Sequence, residues 1–301
     1  MGKWFFEKGV PGIETEKNTK LAIKIKNKIF SGKSKYQKIE VLDTHPLGRI
    51  LVLDGIVQLS QKDEFIYHEM MANLPLFYHL NPKKVLIIGG GDGGVLREAL
   101  KHPIKNVFLV DIDKKIIEIS KKYLPFISQN SFQDKRTKIF IEDGMKFIKK
   151  FKNFFDVTII DLTDPLGPSI PLFSKRFYQD ISNAMTKEGV MITQGGTLFA
   201  QFFQVQNIFK NLKKVFPFVK LHLAAVPCYG EGEFSFIVAS KKINLNKTNS
   251  KKIRTSPSTR TLFLALLEIK KRYKKLKLKT KYYSPEIHLA SGILPKIYQI
   301  K

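Results

Sequence analysis

The chain has 301 residues, of which 43% are hydrophobic, and this is enough for a sizeable core in one large domain or two modest ones. Its formal net charge is +26, from 52 Lys and Arg against 26 Asp and Glu, and such a charge taken alone favours a nucleic acid or another anionic partner. However, residues 241–281 hold fifteen of the basic residues and one acid, Glu268, so the charge is concentrated late in the chain. We therefore expect neither a nucleic acid nor a membrane as partner.

The cysteine content and the N-terminal segment bear on location. The single cysteine, Cys228, excludes an internal disulfide and fits a reducing compartment. The segment MGKWFFEKGVPG lacks the charged-then-apolar pattern of a signal peptide, and no apolar run approaches the ~20 residues that span a bilayer. The sequence predicts a cytoplasmic protein.

The first part of the chain shows the polar and apolar alternation of half-buried strands. Residues 20–60 contain three such segments, LAIKIKNKIF, YQKIEVLDT and GRILVLDGIVQLS, whereas residues 1–16 are predicted to be an irregular lead-in. Residues 62–79 are predicted to form a helix. These patterns predict a small N-terminal antiparallel β domain over residues 1–61, followed by a second domain over residues 62–301.

From residue 85 onward, predicted strands alternate with predicted helices. The strands cover residues 85–88, 107–111, 138–142, 156–161, 189–194, 219–226 and 234–239. The helices cover residues 94–101, 113–123, 144–151, 174–186 and 200–215. This alternation is typical of an α/β domain with a doubly wound, largely parallel sheet, whose last two strands can form an antiparallel pair. Residues 241–260 are predicted to be a loop or insertion, and residues 261–275 an amphipathic helix.

Residues 85–98, VLIIGGGDGGVLRE, have the order strand, glycine turn, helix that is typical of a nucleotide-binding corner. Without Cβ atoms the turn lets a ligand lie close to the backbone, and the start of the helix supplies unpaired N–H groups. Asp111 and Asp113 close the next apolar run about 20 residues later, where a ribose-binding carboxylate is expected. The segment therefore predicts a nucleoside site.

Carboxylates follow four consecutive predicted strands, and a further one comes three residues after the last. They are Asp92, Asp111, Asp143, Asp161 and Asp164. Ligands of open α/β sheets bind beyond the carboxyl ends of the strands, so we expect these side chains at one edge, although any of them, Asp143 above all, could instead cap a helix. So acidic a pocket disfavours phosphate and favours a ligand with more than one positive centre. We infer a nucleoside-like ligand beside a polycationic co-substrate.

Four motifs resemble those of the spermidine synthase family, the aminopropyltransferases of polyamine synthesis. They are DEFIYHEM at 63–70, GGGDGGVLRE at 89–98, DLTDPLGP at 161–168 and YYSPEIH at 282–288, and the resemblance runs from about Trp4 to the C-terminus. It implies a small N-terminal β domain, a Rossmann-like methyltransferase-type domain and a homodimer or homotetramer. It also implies transfer of the aminopropyl group of decarboxylated S-adenosylmethionine to putrescine, which gives spermidine and methylthioadenosine. No cofactor or metal is expected, because the sulfonium donor is a co-substrate.

The resemblance assigns a role to each of twelve residues. Asp161 would be the catalytic base. The nucleoside would be bound at its ribose by Gln37 and Asp111, and at its adenine by Asp143, Gly144 and Pro168. The aminopropyl arm and the diamine would be bound by Tyr67, His68, Asp92, Asp164, Gln194 and Tyr229.

The chemistry requires a base because an alkyl ammonium is charged at neutral pH and cannot attack carbon. An ordinary Asp, with a pKa near 3.9, is a weak base, so we expect burial and the nearby Asp164 to raise the pKa of Asp161. Intact S-adenosylmethionine carries a carboxylate on the transferred arm, and Asp92 is expected to repel it. The base and the donor preference thus follow from charge.

Several residues depart from the family pattern. Asp111 stands where most members have Glu, and Leu162 replaces a small residue, so that it either narrows the pocket floor or points away from it. The loop at residues 228–234 carries Glu231 and Glu233. These glutamates either lie in solvent or form an additional site for the distal ammonium of cadaverine or a longer polyamine.

Two functions from other classes stay open at this point. A putrescine N-methyltransferase would use intact S-adenosylmethionine on the same fold. An RNA-binding protein or RNA methyltransferase would fit the basic composition and would show salt-dependent RNA affinity, but the acidic pocket would repel a phosphate chain.

Overall fold

The computed structural model describes residues 3–9, 20–165, 167–230, 232–245 and 259–298. Glu231 and most of the Lys-rich part of the predicted insertion lie outside these residues. Within them, no helix combines the length and the apolar character needed to cross a membrane.

The N-terminal sheet is antiparallel, with its strands in the order of the chain. The strands are β1 (Trp4–Phe6), β2 (Ala22–Lys33), β3 (Lys38–Thr44), β4 (Arg49–Leu53) and β5 (Ile56–Ser60). Two predictions were wrong in detail. The lead-in contains β1, which pairs with β2 through a tertiary contact that local alternation does not reveal. The third predicted strand is a hairpin, because Asp54 and Gly55 have φ values of 51° and 91°, as the two-residue turn of a hairpin requires.

The second sheet has seven strands. They are β6 (Lys84–Gly89), β7 (Asn106–Asp111), β8 (Thr137–Ile141), β9 (Phe155–Asp161), β10 (Met185–Thr197), β11 (Phe218–Ala225) and β12 (Glu233–Ser240). The helices are α1 (Glu64–Tyr78), α2 (Gly94–Leu100), α3 (Lys114–Tyr123), α4 (Pro125–Ser128), α5 (Gly144–Ile148), α6 (Lys175–Ala184), α7 (Phe202–Lys213), α8 (Thr259–Leu276) and α9 (Pro285–Ala290). The doubly wound α/β architecture and every predicted strand of this sheet are confirmed; α4 and α9 were not predicted.

The order of the strands creates a crevice at one point of the second sheet. The order is β11-β12-β10-β9-β6-β7-β8, and β12 pairs antiparallel with both of its neighbours, as predicted for the last hairpin. The chain runs outward from β6 through β7 to β8 and then returns to β9 on the other side of β6. Ligands bind where the winding reverses in this way, so the fold itself directs a ligand to the ends of β6 and β9.

Both faces of the second sheet are covered by apolar packing. Along β6, Val85 and Ile87 belong to a core that includes the N-terminal sheet, α1 and α2. Leu86 and Ile88 belong to a separate core with α6 and α7. This burial on both faces explains why the strand is apolar without alternation.

The C-terminal segment is fastened to α1. Glu69 accepts hydrogen bonds from the backbone N–H groups of Lys281, Tyr282 and Tyr283, each at 2.8 Å. Arg272 of α8 donates to backbone carbonyls at the C-terminal end of α1, including that of Phe77 at 2.6 Å. Part of the basic stretch over residues 241–281 therefore caps the C-terminal end of a buried helix.

The backbones of β6 and β9 approach closely at their carboxyl ends. Gly89 pairs with Asp161, and Gly90 N–H donates to the backbone oxygen of Asp161 at 2.9 Å. Gly89 has a φ of 83°, and a Cβ on it would overlap that oxygen. Only glycine fits here.

We expect Gly89→Ala to destabilise the fold by about 3 kcal/mol or more, because left-handed strain is combined with a backbone clash. Gly232→Ala is the matched control, since its φ is 100° but a Cβ would find its nearest neighbour at 3.6 Å. That variant should lose about 1 kcal/mol from strain alone. Urea unfolding of both variants measures the difference, and equal losses would show that the close approach is not tight.

Candidate active site

A cavity of about 440 Å³ lies at the carboxyl ends of β6, β7 and β9 and is also lined by residues of the N-terminal sheet. Eleven of the twelve predicted site residues line it, namely Gln37, Tyr67, His68, Asp92, Asp111, Asp143, Gly144, Asp161, Asp164, Gln194 and Tyr229. The twelfth, Pro168, belongs to the 3-10 helix Gly167–Phe173, and its side chain lies outside the described part of the chain. The five acids predicted to share one edge of the sheet therefore do share a cavity.

Asp161, the predicted base, ends β9. Its Oδ1 accepts a hydrogen bond from the Tyr67 hydroxyl at 2.6 Å, whereas its Oδ2 is buried with no hydrogen-bond partner among the described residues. Burial and the charge of Asp92 raise the pKa of Asp161 to about 7, against the opposing effects of His68 and Tyr67. The pKa of Asp161 is raised as predicted, but the prediction named the wrong neighbour. The carboxylate that contributes most to the rise is Asp92 and not Asp164. A carboxylate of this pKa can accept a proton near neutral pH.

Asp92 follows the glycine turn and is held by two donors. Its Oδ1 accepts the Gly94 N–H at 2.7 Å and lies 3.2 Å from His68 Nε2. Burial disfavours the charge of Asp92, but the charge of His68 and the Gly94 N–H outweigh burial and lower the pKa of Asp92. Asp92 therefore presents a fixed negative charge to the cavity.

The predicted ribose-binding corner brings Gln37 together with the acidic pair Asp111 and Asp113. Gln37 Nε2 donates to Asp113 Oδ2 at 3.0 Å, and the Asp113 N–H donates to Asp111 Oδ1 at 2.8 Å. An ideal Cβ on Gly91 would lie 2.7 Å from a carboxylate oxygen of Asp111, so the glycine turn leaves room for this side chain. Burial, and then the charges of Asp113 and Asp92, raise the pKa of Asp111 to about 6. The corner offers both an ionisable and an amide group to a ligand.

Asp143 satisfies both interpretations that the sequence left open. Its Oδ1 accepts the Met145 N–H at 2.8 Å and so caps α5, and the residue also lines the cavity. The neighbouring Gly144 lies against Ile88 so closely that a Cβ would come within 2.5 Å of Ile88 Cγ2. The backbone of this turn thus forms a wall of the cavity.

Three glutamines surround Asp164, and one of them, Gln194, is among the predicted site residues. Gln204 Nε2 lies 3.5 Å from Asp164 Oδ1, and Gln201 lines the cavity with its Oε1 held by the Thr197 N–H at 2.7 Å. Burial raises the pKa of Asp164, and the three amides oppose that rise. The signal that could have revealed the two missed residues is their spacing of three at the start of a predicted helix, which puts both on one face.

The residues that depart from the family pattern fall into two groups. Leu162 lines the cavity, so it narrows the floor instead of pointing away. Glu233 is exposed and is not among the residues that line the cavity, while Glu231 lies outside the described residues. For Glu233, the solvated interpretation is the one that the structure favours.

Comparison with known proteins identifies the family. Residues 3–61 match the model of the spermidine synthase tetramerisation domain, and residues 64–251 match that of the spermine/spermidine synthase domain. The chain is 42% identical over 280 residues to the polyamine aminopropyltransferase of Clostridium tetani, covering 93% of this chain and 92% of that relative. It is 40% identical over 300 residues to that of Caldicellulosiruptor saccharolyticus, covering 99% and 98%. The chain belongs to the spermine/spermidine synthase family.

Solved structures agree with this assignment. A spermidine synthase in complex with the transition state analogue AdoDATO superimposes with a TM-score of 0.86 at 37% identity, covering 99% of this chain and 94% of that one. The spermidine synthase of Thermotoga maritima gives a TM-score of 0.84 at 36% identity with the same coverage. The protein is thus a polyamine aminopropyltransferase with the Rossmann-like fold that the sequence predicted.

The hydrogen bond from Tyr67 predicts a pH effect in this aminopropyltransferase. As the predicted base, Asp161 would have to be ionised to accept a proton, so kcat/KM should fall as the pH drops below about 7. Tyr67→Phe removes a donor that stabilises the ionised form, and we expect it to move this acidic limb upward by about one to two pH units.

Tyr229→Phe is the control for that measurement. The Tyr229 hydroxyl donates to the backbone oxygen of Gln58 at 2.9 Å, and its ring meets that of Tyr67 edge to face. This variant removes a cavity-lining hydroxyl without touching Asp161, so its limb should stay at the wild-type pH. A Tyr67→Phe limb that also stays in place would contradict the assignment of Asp161 as the titrating group.

Proposed function

We propose that this aminopropyltransferase is a spermidine synthase that transfers the aminopropyl group of decarboxylated S-adenosylmethionine to putrescine. The observation that carries the proposal is Asp161, whose pKa is raised to about 7 and whose Oδ2 is buried and without a partner among the described residues. It faces a cavity that also contains the glycine turn and the carboxylates of Asp92 and Asp164. A base between two anionic groups suits a reaction between a sulfonium donor and a diamine.

The nucleoside would lie along the glycine turn. Gln37 and Asp111, together with Asp113, would bind the ribose, since carboxylate oxygens accept from ribose hydroxyls. Asp143 and the backbone of Gly144 would bind the adenine. Pro168 is proposed as a side wall from the family resemblance alone.

The aminopropyl arm and the acceptor would occupy the acidic part of the cavity. Asp92 would bind the ammonium of the arm and Asp164 the distal ammonium of putrescine. Tyr67, Tyr229 and Gln194 would line the path between them. The neutral amides around Asp164 and the exposed position of Glu233 support an acceptor with a single distal charge, such as putrescine, over a longer polyamine.

The reaction step follows from this arrangement. Asp161 would remove a proton from the attacking ammonium, and the freed nitrogen lone pair would form a bond to the methylene next to the sulfonium. The carbon–sulfur bond breaks with its electrons going to sulfur, so that methylthioadenosine leaves as a neutral thioether. Alignment of nitrogen, carbon and sulfur would supply much of the rate increase.

Discrimination between donors follows from charge. The carboxylate of intact S-adenosylmethionine would lie near Asp92, and two like charges about 4 Å apart repel by about 4 kcal/mol at an effective dielectric constant near 20. Removal of that carboxylate changes repulsion into attraction. The same argument disfavours an N-methyltransferase, which would need the intact donor.

We also propose a cytoplasmic homodimer or homotetramer. Two observations support an oligomer that involves the N-terminal sheet. Residues 3–61 match a domain named for tetramerisation. The edge strand β1 leaves the side chains of Trp4 and Phe6 52% and 60% exposed, which is unusual for large apolar side chains at a sheet edge.

The role of Asp161 is tested by Asp161→Asn. We expect kcat to fall by about 10³-fold, because the amine is no longer deprotonated, while calorimetry shows methylthioadenosine binding nearly unchanged. Asp156→Asn is the control on the same strand, since that carboxylate accepts the Lys83 and Lys84 N–H groups and lies away from the cavity. Its kcat should match that of the wild type. Wild-type turnover in Asp161→Asn would rule out the base assignment.

The substrates are tested by mass spectrometry of products. The enzyme is supplied with either decarboxylated or intact S-adenosylmethionine and an equimolar pool of putrescine, cadaverine and spermidine. We expect spermidine and methylthioadenosine from the decarboxylated donor only. A methylated amine from the intact donor would establish the N-methyltransferase instead, and aminopropylcadaverine or spermine as main product would assign a different acceptor.

A further inference from the structure

We propose that Glu64, held in place by Arg97, is a positioning residue that keeps His68 as an imidazolium and thereby sets the pH at which Asp161 becomes a base. Neither Glu64 nor Arg97 lines the cavity. The inference rests on the proposed function in one respect, because the effect on Asp161 is read from turnover. The charge state of His68 can be measured without any substrate.

A row of side chains with alternating charge ends at the cavity and consists of Arg97, Glu64, His68 and Asp92. Arg97 Nη1 and Nη2 donate to Glu64 Oε1 and Oε2 at 3.1 and 2.9 Å. Glu64 Oε2 lies 2.5 Å from His68 Nδ1, and His68 Nε2 lies 3.2 Å from Asp92 Oδ1. All but Asp92 are buried, with His68 only 2% exposed. Water therefore does not replace the contacts among Arg97, Glu64 and His68.

The partners of His68 determine its protonation state. An ionised carboxylate can only accept hydrogen bonds, so a ring with one carboxylate at each nitrogen must donate from both, and only the imidazolium does so. Burial opposes the charged ring, but Asp92 and Glu64 outweigh burial and raise the pKa of His68 to about 10. Glu64 itself stays ionised, because His68 and Arg97 overcome the effect of burial and lower its pKa to about 2.

The ring is also fixed in orientation. A Cβ on Gly94 would overlap the His68 ring, so the imidazole lies directly on the backbone at the start of α2. Tyr67 meets the ring edge to face, with 5.6 Å between the ring centroids. The nitrogen that faces Asp92 cannot turn away without displacing this packing.

The row acts on the cavity through Asp92 and Asp161. Both donors that reach Asp92 within the described residues, Gly94 N–H and His68 Nε2–H, bind its Oδ1, which leaves Oδ2 for a ligand ammonium. The charge of Asp92 raises the pKa of Asp161, and the positive charge of His68 lowers it. With a neutral His68 the Tyr67 hydrogen bond alone would oppose the charge of Asp92, and Asp161 would hold its proton to a higher pH.

The test is Glu64→Gln, which keeps the shape and removes the charge. In the variant, the amide can donate to His68 Nδ1, so a neutral ring is satisfied and its pKa should fall toward the ordinary value of about 6.5. The titration is followed by NMR of the full-length enzyme labelled with ¹³C-histidine, with the His68 signal assigned from its loss in His68→Gln. In the wild type we expect the imidazolium to persist to pH 9.

The kinetic readout is the acidic limb of kcat/KM. Glu64→Gln should move it upward by about one pH unit, so that turnover falls several-fold at pH 7 and recovers at pH 9. A purely structural defect would not recover at high pH. In the His68→Gln background, Glu64→Gln should add no further shift.

Glu69→Gln is the matched control on the same helix. Glu69 is as buried as His68 and holds three backbone N–H groups, so its substitution should lower stability. The Glu69 carboxylate binds the C-terminal segment and not the His68 ring, so neither the titration nor the limb should move. A wild-type His68 that titrates near pH 6.5 would overturn the proposal whatever the substrate proves to be. So would an unmoved limb in a Glu64→Gln enzyme whose His68 has become neutral.

Discussion

The hydrogen bond from Gly90 N–H to the backbone oxygen of Asp161 is the contact on which the site depends. It joins the glycine turn, where a nucleoside would lie, to the residue that would accept the proton. The two are adjacent because β6 and β9 are neighbours, and each intervening strand would have separated them by a further ~4.8 Å. The missing Cβ of Gly89 permits the approach. The reversal of strand order between β6 and β9 thus places the proposed donor site next to the proposed base.

Helix α1 connects the two strand ends with the C-terminal segment. Three consecutive residues point in different directions, as the 100° step of a helix requires. Tyr67 binds Asp161, His68 faces Asp92, and Glu69 holds the C-terminal segment. A helix with such partners is buried on all sides, and this explains why it lacks a polar face. One helix therefore connects Asp161 and Asp92 with the C-terminal segment.

Patterns of neighbouring residues in the sequence were sufficient to predict the strands of the second sheet and the residues at their ends. Apolar runs predicted the strands of the second sheet, and their order along the chain predicted that the carboxylates would meet at one edge. The Asp54–Gly55 hairpin was also readable, because Asp-Gly is a strong turn signal, but the apolar residues on both sides made it look like one strand. By contrast, Gln37 and Asp113 are 76 positions apart, and Glu64 and Arg97 are 33 apart. Such pairs depend on tertiary distances that periodicity does not contain.

The electrostatic potential of this basic chain differs between its surface and its cavity. Exposed charges are screened within about 8 Å at physiological salt, so the Lys-rich surface acts weakly at longer range. The cavity is lined by eight carboxylates against one lysine and His68. Burial, and then the charges of neighbouring carboxylates, raise the pKa of Asp111 and Asp161. A bound cation relieves that repulsion and favours the ionised forms, so substrate binding and the release of protons from the cavity must be coupled.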